Sequence, residues 1–156
     1  MMVYDQILRL LDEQGVAYTL HHHEPVRTVA EVEERLPLLL DRMLKTIAFR
    51  LRDGRYLLAG LRGHDRLSYP LLARALAVNR RDITSLSPEE VAAELGFEVG
   101  GVGPFALRED VVVLFDGRLA HMGLVYCGSG RSTVTLAVDF ADLRRVTDGR
   151  VVALVG

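Results

Sequence analysis

Residues 41–56, "DRMLKTIAFRLRDGRY", set a cation and a hydroxyl at the start of an alternating apolar run. The cation is Lys45, the one lysine in a chain that otherwise carries 18 arginines. An ammonium is a compact point charge with three rotatable donors, whereas a guanidinium is a larger planar fork, so a small site distinguishes them. From Leu44 to Arg52 the pattern reads as a half-buried strand; Asp53-Gly54 is a hairpin pair leading into a second apolar run, Tyr56 to Leu61. Side chains two apart share a face, which puts Lys45 in phase with Ile47, Phe49 and Leu51, and opposite Thr46, Ala48 and Arg50. A lysine aimed at an apolar interior is costly unless its stem carries the charge to water or something inside uses it. The pattern alone leaves both readings open.

Two glycine loops are the other candidates for chemistry. In "LGFEVGGVGPFAL", Gly100, Gly101 and Gly103 precede Pro104 and Phe105. Neither a Gly-Lys-Ser/Thr ending nor a following helix is present, so this is no nucleotide-phosphate loop. Glycines here let backbone N–H groups approach a partner closely, and Pro104 stiffens the exit. The alternative is a connector with unusual dihedrals. "YCGSGRST", residues 126–133, reads by itself as a turn between strands.

Other reactive residues fit structural roles better. His21, His22 and His23 are consecutive on a strand and point to alternating faces, so they do not converge on one metal ion. Cys127, the single cysteine, has no histidine placed by sequence as its base, and reads as a small buried side chain. Ser129 and Ser132 lack the strand–turn–helix setting of an activated serine.

The elements that must position these groups are legible. Tyr4, Ile7, Leu8 and Leu11 mark a helix stopped near Gly15, and "VAYTLHHH" reads as a strand. Thr28 and Glu31 have capping-box spacing for a short helix ended by Pro37. Ser68 caps a helix carrying Leu72, Ala75 and Leu76; Ser87-Pro88-Glu89-Glu90 opens another. "DVVVLF", a second Asp-Gly turn at Asp116-Gly117, strands near 122–127 and 132–138, a helix capped by Asp139 and "RVVALV" complete the chain. These elements predict an α/β mixed (α+β-like) fold in one domain over residues 1–156. Its curved, largely antiparallel mixed sheet is flanked by helices around a small pocket.

Composition bounds the function. A net charge of -2 argues against coating nucleic acid non-specifically, while leaving room for a local arginine patch that grips one RNA end. No apolar run is long enough to span a membrane, and the start reads as an amphipathic helix rather than a signal peptide. With one cysteine, a reducing cytoplasm fits.

Taken in order, "MLKTIAFR", "GHDRLSYPLLARAL", "GFEVGGVGPFAL" and "VYCGSGRSTVTLAV" resemble the YbaK/ProX family of aminoacyl-tRNA editing domains. These are related to the domain inserted in bacterial prolyl-tRNA synthetases. The resemblance covers roughly residues 20–140, and its most specific parts are Lys45-Thr46 and the GxxxP loop from Gly100 to Pro104. It implies hydrolysis of the ester in mischarged tRNA, most of all alanyl- or cysteinyl-tRNA(Pro), without metal or cofactor. The partners it implies are the tRNA acceptor end and a prolyl-tRNA synthetase, with neither DNA nor membrane involved. Lys45, Gly100 and Gly101 are the implied catalytic residues. Thr46, Val102, Gly103, Pro104, Phe105, His21, Thr28, Gly128 and Gly130 are the implied substrate-binding set. Arg27 stands where many relatives carry an aromatic, and the strand near Thr133 lacks an acidic residue that some have; both bear on which amino acid is accepted. The rival expectations are a non-catalytic module that binds a tRNA end or an amino acid and docks on a synthetase, and a cysteine hydrolase built on Cys127.

Overall fold

The computed structural model describes residues 1–25, 30, 34 and 41–156. Helix α1 (Val3–Glu13) buries Ile7 and Leu11 and stops before Gly15, whose φ of +67° suits glycine. Strand β1 (Tyr18–His22) follows. The hairpin β2 (Leu44–Leu51) and β3 (Tyr56–Arg62) turns through Gly54 at φ +95°, where the Asp53-Gly54 pair predicts it. Ser68 Oγ accepts from the Leu71 N–H at 3.3 Å to open α2 (Tyr69–Leu76). A short 3-10 turn (Arg80–Asp82) leads to β4 (Ile83–Ser85). Helix α3 (Pro88–Leu95) begins with the predicted reciprocal cap: Ser87 Oγ accepts from the Glu90 N–H at 3.1 Å, and Glu90 Oε1 from the Ser87 N–H at 3.0 Å. Then come β5 (Val111–Asp116), β6 (Leu124–Gly128) and β7 (Val134–Asp139). Asp139 caps α4 (Phe140–Thr147), and β8 (Arg150–Val152) closes the order. The expected helix over Thr28 and Glu31, its stop at Pro37 and the position of Arg27 lie outside the described residues.

The strands form a mixed, antiparallel-rich arrangement, as the pattern predicts, divided into two sheets. A three-stranded sheet runs β1-β7-β6, entirely antiparallel. A five-stranded sheet runs β4-β2-β3-β5-β8, in which β5 lies parallel to both β3 and β8. One core joins α1 and the three-stranded sheet to one face of the five-stranded sheet, through Ile7, Leu44, Ala48, Phe115, Val125 and Leu136. A second buries the opposite face beneath α2, through Phe49, Leu51, Leu57, Leu72 and Leu114.

Two local expectations change. Strand β2 is covered on both faces rather than half-buried: Leu44 and Ala48 are as enclosed as Phe49 and Leu51, because β2 is an interior strand between α2 and the second sheet. Asp116-Gly117 does not make a hairpin. The Asp116 carboxylate accepts from Arg118 N–H at 3.0 Å and starts a 3-10 turn (Gly117–His121). Its other oxygen accepts from the N–H groups of Leu154 at 2.8 Å and Val155 at 3.2 Å, tethering the segment after β8. Asp116 is 2% exposed. Asp116→Ala would therefore orphan buried donors at a cost of about 3 kcal/mol, lowering the melting temperature by roughly 10 °C. An unchanged melting curve would show that the tether carries no stability. Among the described residues, no helix is long and apolar enough to cross a membrane.

Candidate functional site

The edge of β2 sets the site. Lys45 is its second residue, half-buried, and its Nζ donates to the backbone carbonyl of Asp65 in the turn after β3. Burial pushes the ammonium's pKa below the ordinary lysine value; nearby Asp65 opposes that shift and Arg66 adds to it. The Asp65 carboxylate is not free to neutralise Lys45. It accepts from Arg62 Nε at 2.7 Å and Nη2 at 3.2 Å, with Arg118 at 3.6 Å. These bonds to Arg62 hold the Asp65 carboxyl below its usual range. Lys45 thus keeps donors available beside a carboxylate already occupied by arginines.

Thr46 points the other way, into the space between the two sheets, in phase with Leu44 and Ala48. Its Oγ1 is buried and has no hydrogen-bond partner among the described residues. Buried hydroxyls are nearly always paired, so this one stands out as available to a ligand or a water.

Strand β6 links this edge to the glycine loops. Met43 forms a parallel bridge with Tyr126, and the Tyr126 N–H donates to Arg42 O at 2.9 Å. Two residues on, Gly128 packs against the 100–105 loop so tightly that a Cβ on it would lie 1.9 Å from Val102 O. A Cβ on Gly103 would lie 2.1 Å from Gly128 O. The Gly130 N–H donates to Gly101 O at 2.8 Å, and Gly130 O accepts from Glu98 N–H at 3.0 Å; Gly130 itself sits at φ +99°. Pro104 and Phe105 are buried, and Phe105 anchors the loop in the first core. The two glycine segments are therefore one double loop, laid backbone to backbone at the end of β6.

The role expected of Gly101 changes. Its N–H donates to Glu98 O at 2.8 Å and so is not free to hold a substrate carbonyl. The reason for its missing side chain is also internal, because a Cβ would lie 2.7–2.9 Å from the backbone of Gly130 and Arg131. Among the described residues, the N–H groups of Gly100, Val102 and Gly103 donate to no acceptor. Gly100 is exposed at φ +88°. These, rather than Gly101, are the loop's available donors.

His21 lies across β6 from this edge, exposed, with its ring edge-on to Tyr126 at 5.3 Å. His23 instead engages Thr135 Oγ1 and the Glu24 carbonyl, each at 2.7 Å. Among the described residues, no cluster of His, Cys, Asp and Glu is placed to hold a metal. Thr28 lies outside the described residues. Lys45 reaches Asp65 rather than the glycine loop, and β6 is what connects the two.

Three structural roles escaped the sequence reading, that of Ser129 among them although the residue was weighed as a nucleophile. Ser129, fully buried, donates to Val134 O at 2.5 Å and accepts from Arg131 N–H at 3.3 Å, fixing the second loop. Glu98 Oε1 accepts from Ser132 N–H at 2.9 Å, tying the two loops together. Asp65 organises the cations around Lys45; the charge-dense "GHDR" was its only signal.

Cys127 faces the first core, and burial pushes its thiol up to about 12. A thiol held protonated is no nucleophile. Cys127→Ala is expected to retain turnover with a modest fall in melting temperature from the small cavity, by about 1–2 kcal/mol. Loss of turnover without loss of stability would restore the cysteine-hydrolase reading.

A family model described as an aminoacyl-tRNA editing domain matches residues 23–146. YwhH of Bacillus subtilis, an uncharacterised protein, is 31% identical over 111 residues, covering 70% of this chain and 69% of its own. A proline–tRNA ligase of Geobacillus kaustophilus is 29% identical over 133 residues, which is 79% of this chain but 23% of the ligase. The chain thus spans about a quarter of the ligases it matches. The crystal structure of hypothetical protein APE2540 has the same fold, with a TM-score of 0.84 at 24% identity, over 97% of this chain and 99% of that one. A candidate trans-editing enzyme for prolyl tRNA synthetase shares it too, with a TM-score of 0.81 at 20% identity, over 99% and 97%. One continuous match takes in the Lys45 edge, both glycine loops and β6, and so this chain belongs to the aminoacyl-tRNA editing domain family.

Proposed function

We propose that residues 1–156 act as one trans-editing domain in the cytoplasm, hydrolysing the ester of mischarged tRNA, with alanyl- and cysteinyl-tRNA(Pro) as the expected substrates. The observation that carries this reading is the half-buried Lys45 ammonium, whose neighbouring carboxylate is already occupied by Arg62 and Arg118. An aminoacyl ester is activated, so its hydrolysis needs positioning and charge stabilisation more than a nucleophilic side chain. Lys45 holds the terminal ribose and phosphate or the amino-acid end. The unpaired N–H groups of Gly100, Val102 and Gly103 receive the ester oxygen as it gains negative charge. A hydroxyl of the terminal ribose orients the water, and the Thr46 hydroxyl, unpaired among the described residues, contacts substrate or that water. Water adds to the carbonyl, the ester C–O bond breaks, and the amino acid and the free tRNA end leave. His21, Thr28, Pro104, Phe105, Gly128 and Gly130 shape the surrounding pocket, and a prolyl-tRNA synthetase supplies the mischarged tRNA.

The test is release of free amino acid from purified alanyl-, cysteinyl- and seryl-tRNA(Pro), alongside correctly charged prolyl-tRNA(Pro). Multiple turnovers on at least one mischarged species, with prolyl-tRNA spared, are expected. Binding of these tRNAs without release would instead make the chain a non-catalytic module.

A further inference from the structure

The positive charge around Asp65 exceeds what Asp65 can neutralise. Arg62 and Arg118 both face its carboxylate, Lys45 takes its backbone carbonyl, and Arg66 lies close enough to disfavour the Lys45 ammonium. Three cations therefore act on one carboxylate, and the exposed Arg66 is the next residue along the chain. The second carboxylate nearby, Asp116, is buried and already accepts from three backbone N–H groups. The layering is also one-sided: the Asp65 side chain is 12% exposed, whereas those of Arg62 and Arg118 are each 44% exposed. Arg66 is exposed as well. The anion lies beneath and the guanidiniums lie outside. On a chain of net charge -2 this is a local concentration, not a general surface property. Arg118 also donates to Gly156 O at 3.3 Å, which helps fix its direction.

We propose that Arg62, Arg66 and Arg118 form a clamp for the phosphodiester backbone of a single-stranded RNA end, holding the strand so that its last nucleotide reaches Lys45. The inference rests on the deacylase reading for what that nucleotide carries. Guanidinium forks match phosphate oxygens in paired hydrogen bonds, and Arg is weakly hydrated, so exchanging water for phosphate costs it little. The three arginines come from the end of β3, the turn after it and the 3-10 turn after β5. That spread suits successive phosphates of a strand better than one enclosed anion. Arg62 holds Asp65 in place as well, so Arg66 and Arg118 are the cleaner probes.

The experiment measures binding of a short uncharged RNA ending in the tRNA acceptor sequence across a salt series, together with hydrolysis of aminoacyl-tRNA and of aminoacyl-adenosine, which has no phosphate. The protein is compared with R66Q/R118Q, and with R9Q as a distant control whose side chain pairs with Glu13 on α1. Melting curves verify folding, and R66K/R118K asks whether restored charge recovers part of the binding. In R66Q/R118Q the RNA affinity is expected to fall on the order of tenfold to a hundredfold, and the log–log salt slope to shrink by about 1.4, the single-strand value for two phosphates. The loss in kcat/KM should be at least about tenfold greater on aminoacyl-tRNA than on aminoacyl-adenosine. Unchanged affinity and slope, an equal loss with R9Q, or equal losses on the two substrates would overturn the clamp. So would inorganic phosphate at constant ionic strength competing as well as the RNA, which would mark an isolated-anion site. A wild-type protein that binds RNA through these arginines but releases no amino acid would sustain the clamp and reject the deacylase. Hydrolysis unaffected by the arginines would do the reverse.

Discussion

Lys45→Ala is expected to lower deacylation by on the order of a hundredfold or more while leaving the melting temperature at or above that of the wild type. The second half follows from the electrostatics. Burial holds the folded pKa of Lys45 below that of the unfolded chain, so protonated lysine opposes folding below that pKa. The opposition disappears as the pH rises past the ordinary lysine value. Stability therefore gives this position no reason to be lysine, and Asp65, whose carbonyl it leaves, is only partly buried between the exposed His64 and Arg66. The same depression shapes the pH profile. After subtraction of uncatalysed ester hydrolysis, kcat/KM should fall on the alkaline side at a pH below that of an ordinary lysine. Lys45→Arg tests shape against charge: its fork is wider, cannot turn in the same space and faces Arg62 and Arg66, so it too should be severely impaired. Near wild-type turnover in Lys45→Ala would remove the central assignment. Full activity in Lys45→Arg, with the alkaline fall abolished, would show that any cation suffices.

What could be read from the sequence divides along physical lines. Ser68, Ser87 with Glu90, Asp139 and Gly54 all act on partners within a few residues, and the sequence pattern places each of them correctly. Lys45 at the start of its strand was legible for the same reason: the alternation that sets its phase is local. The second cover over β2 was not, because Val125 and Leu136, which share a core with Ala48, come from strands some eighty residues downstream. Asp116 failed similarly. Beside Gly117 it reads as a turn residue, yet its carboxylate also serves N–H groups 38 and 39 residues away. The glycines of the GxxxP loop were found as a motif, but the reason for Gly101 was not. A missing Cβ is explained only by what occupies its place, and here that is the backbone of residues 130 and 131. Asp65 needed three-dimensional contacts to stand out from the other charged residues around it.

The largest expected loss of stability comes from Gly128→Ala. A Cβ there would meet Val102 O at 1.9 Å, Val102 C at 2.4 Å and Gly101 O at 2.8 Å. All three are main-chain atoms, so no side chain can swing aside. Gly128 lies in the ladder opposite Thr135, which holds β6 in register, so the loop of residues 100–105 must move instead. That movement breaks the bonds from Gly130 N–H to Gly101 O and from Glu98 N–H to Gly130 O, each contributing about 1 kcal/mol. Forced overpacking adds roughly 1–3 kcal/mol. Together they predict a loss of about 4 kcal/mol and a fall of roughly 10–15 °C in melting temperature. Gly103→Ala should behave alike, since its Cβ would meet Gly128 O at 2.1 Å from the other side. The double variant should lose less than the sum of the two, because once the loops have parted the second methyl meets little. Turnover should fall in both single variants even well below their melting temperatures, as the displaced loop carries the free N–H groups of Val102 and Gly103 with it. A Gly128→Ala protein that melts like wild type yet no longer hydrolyses would place the missing side chain against substrate instead of against the loop.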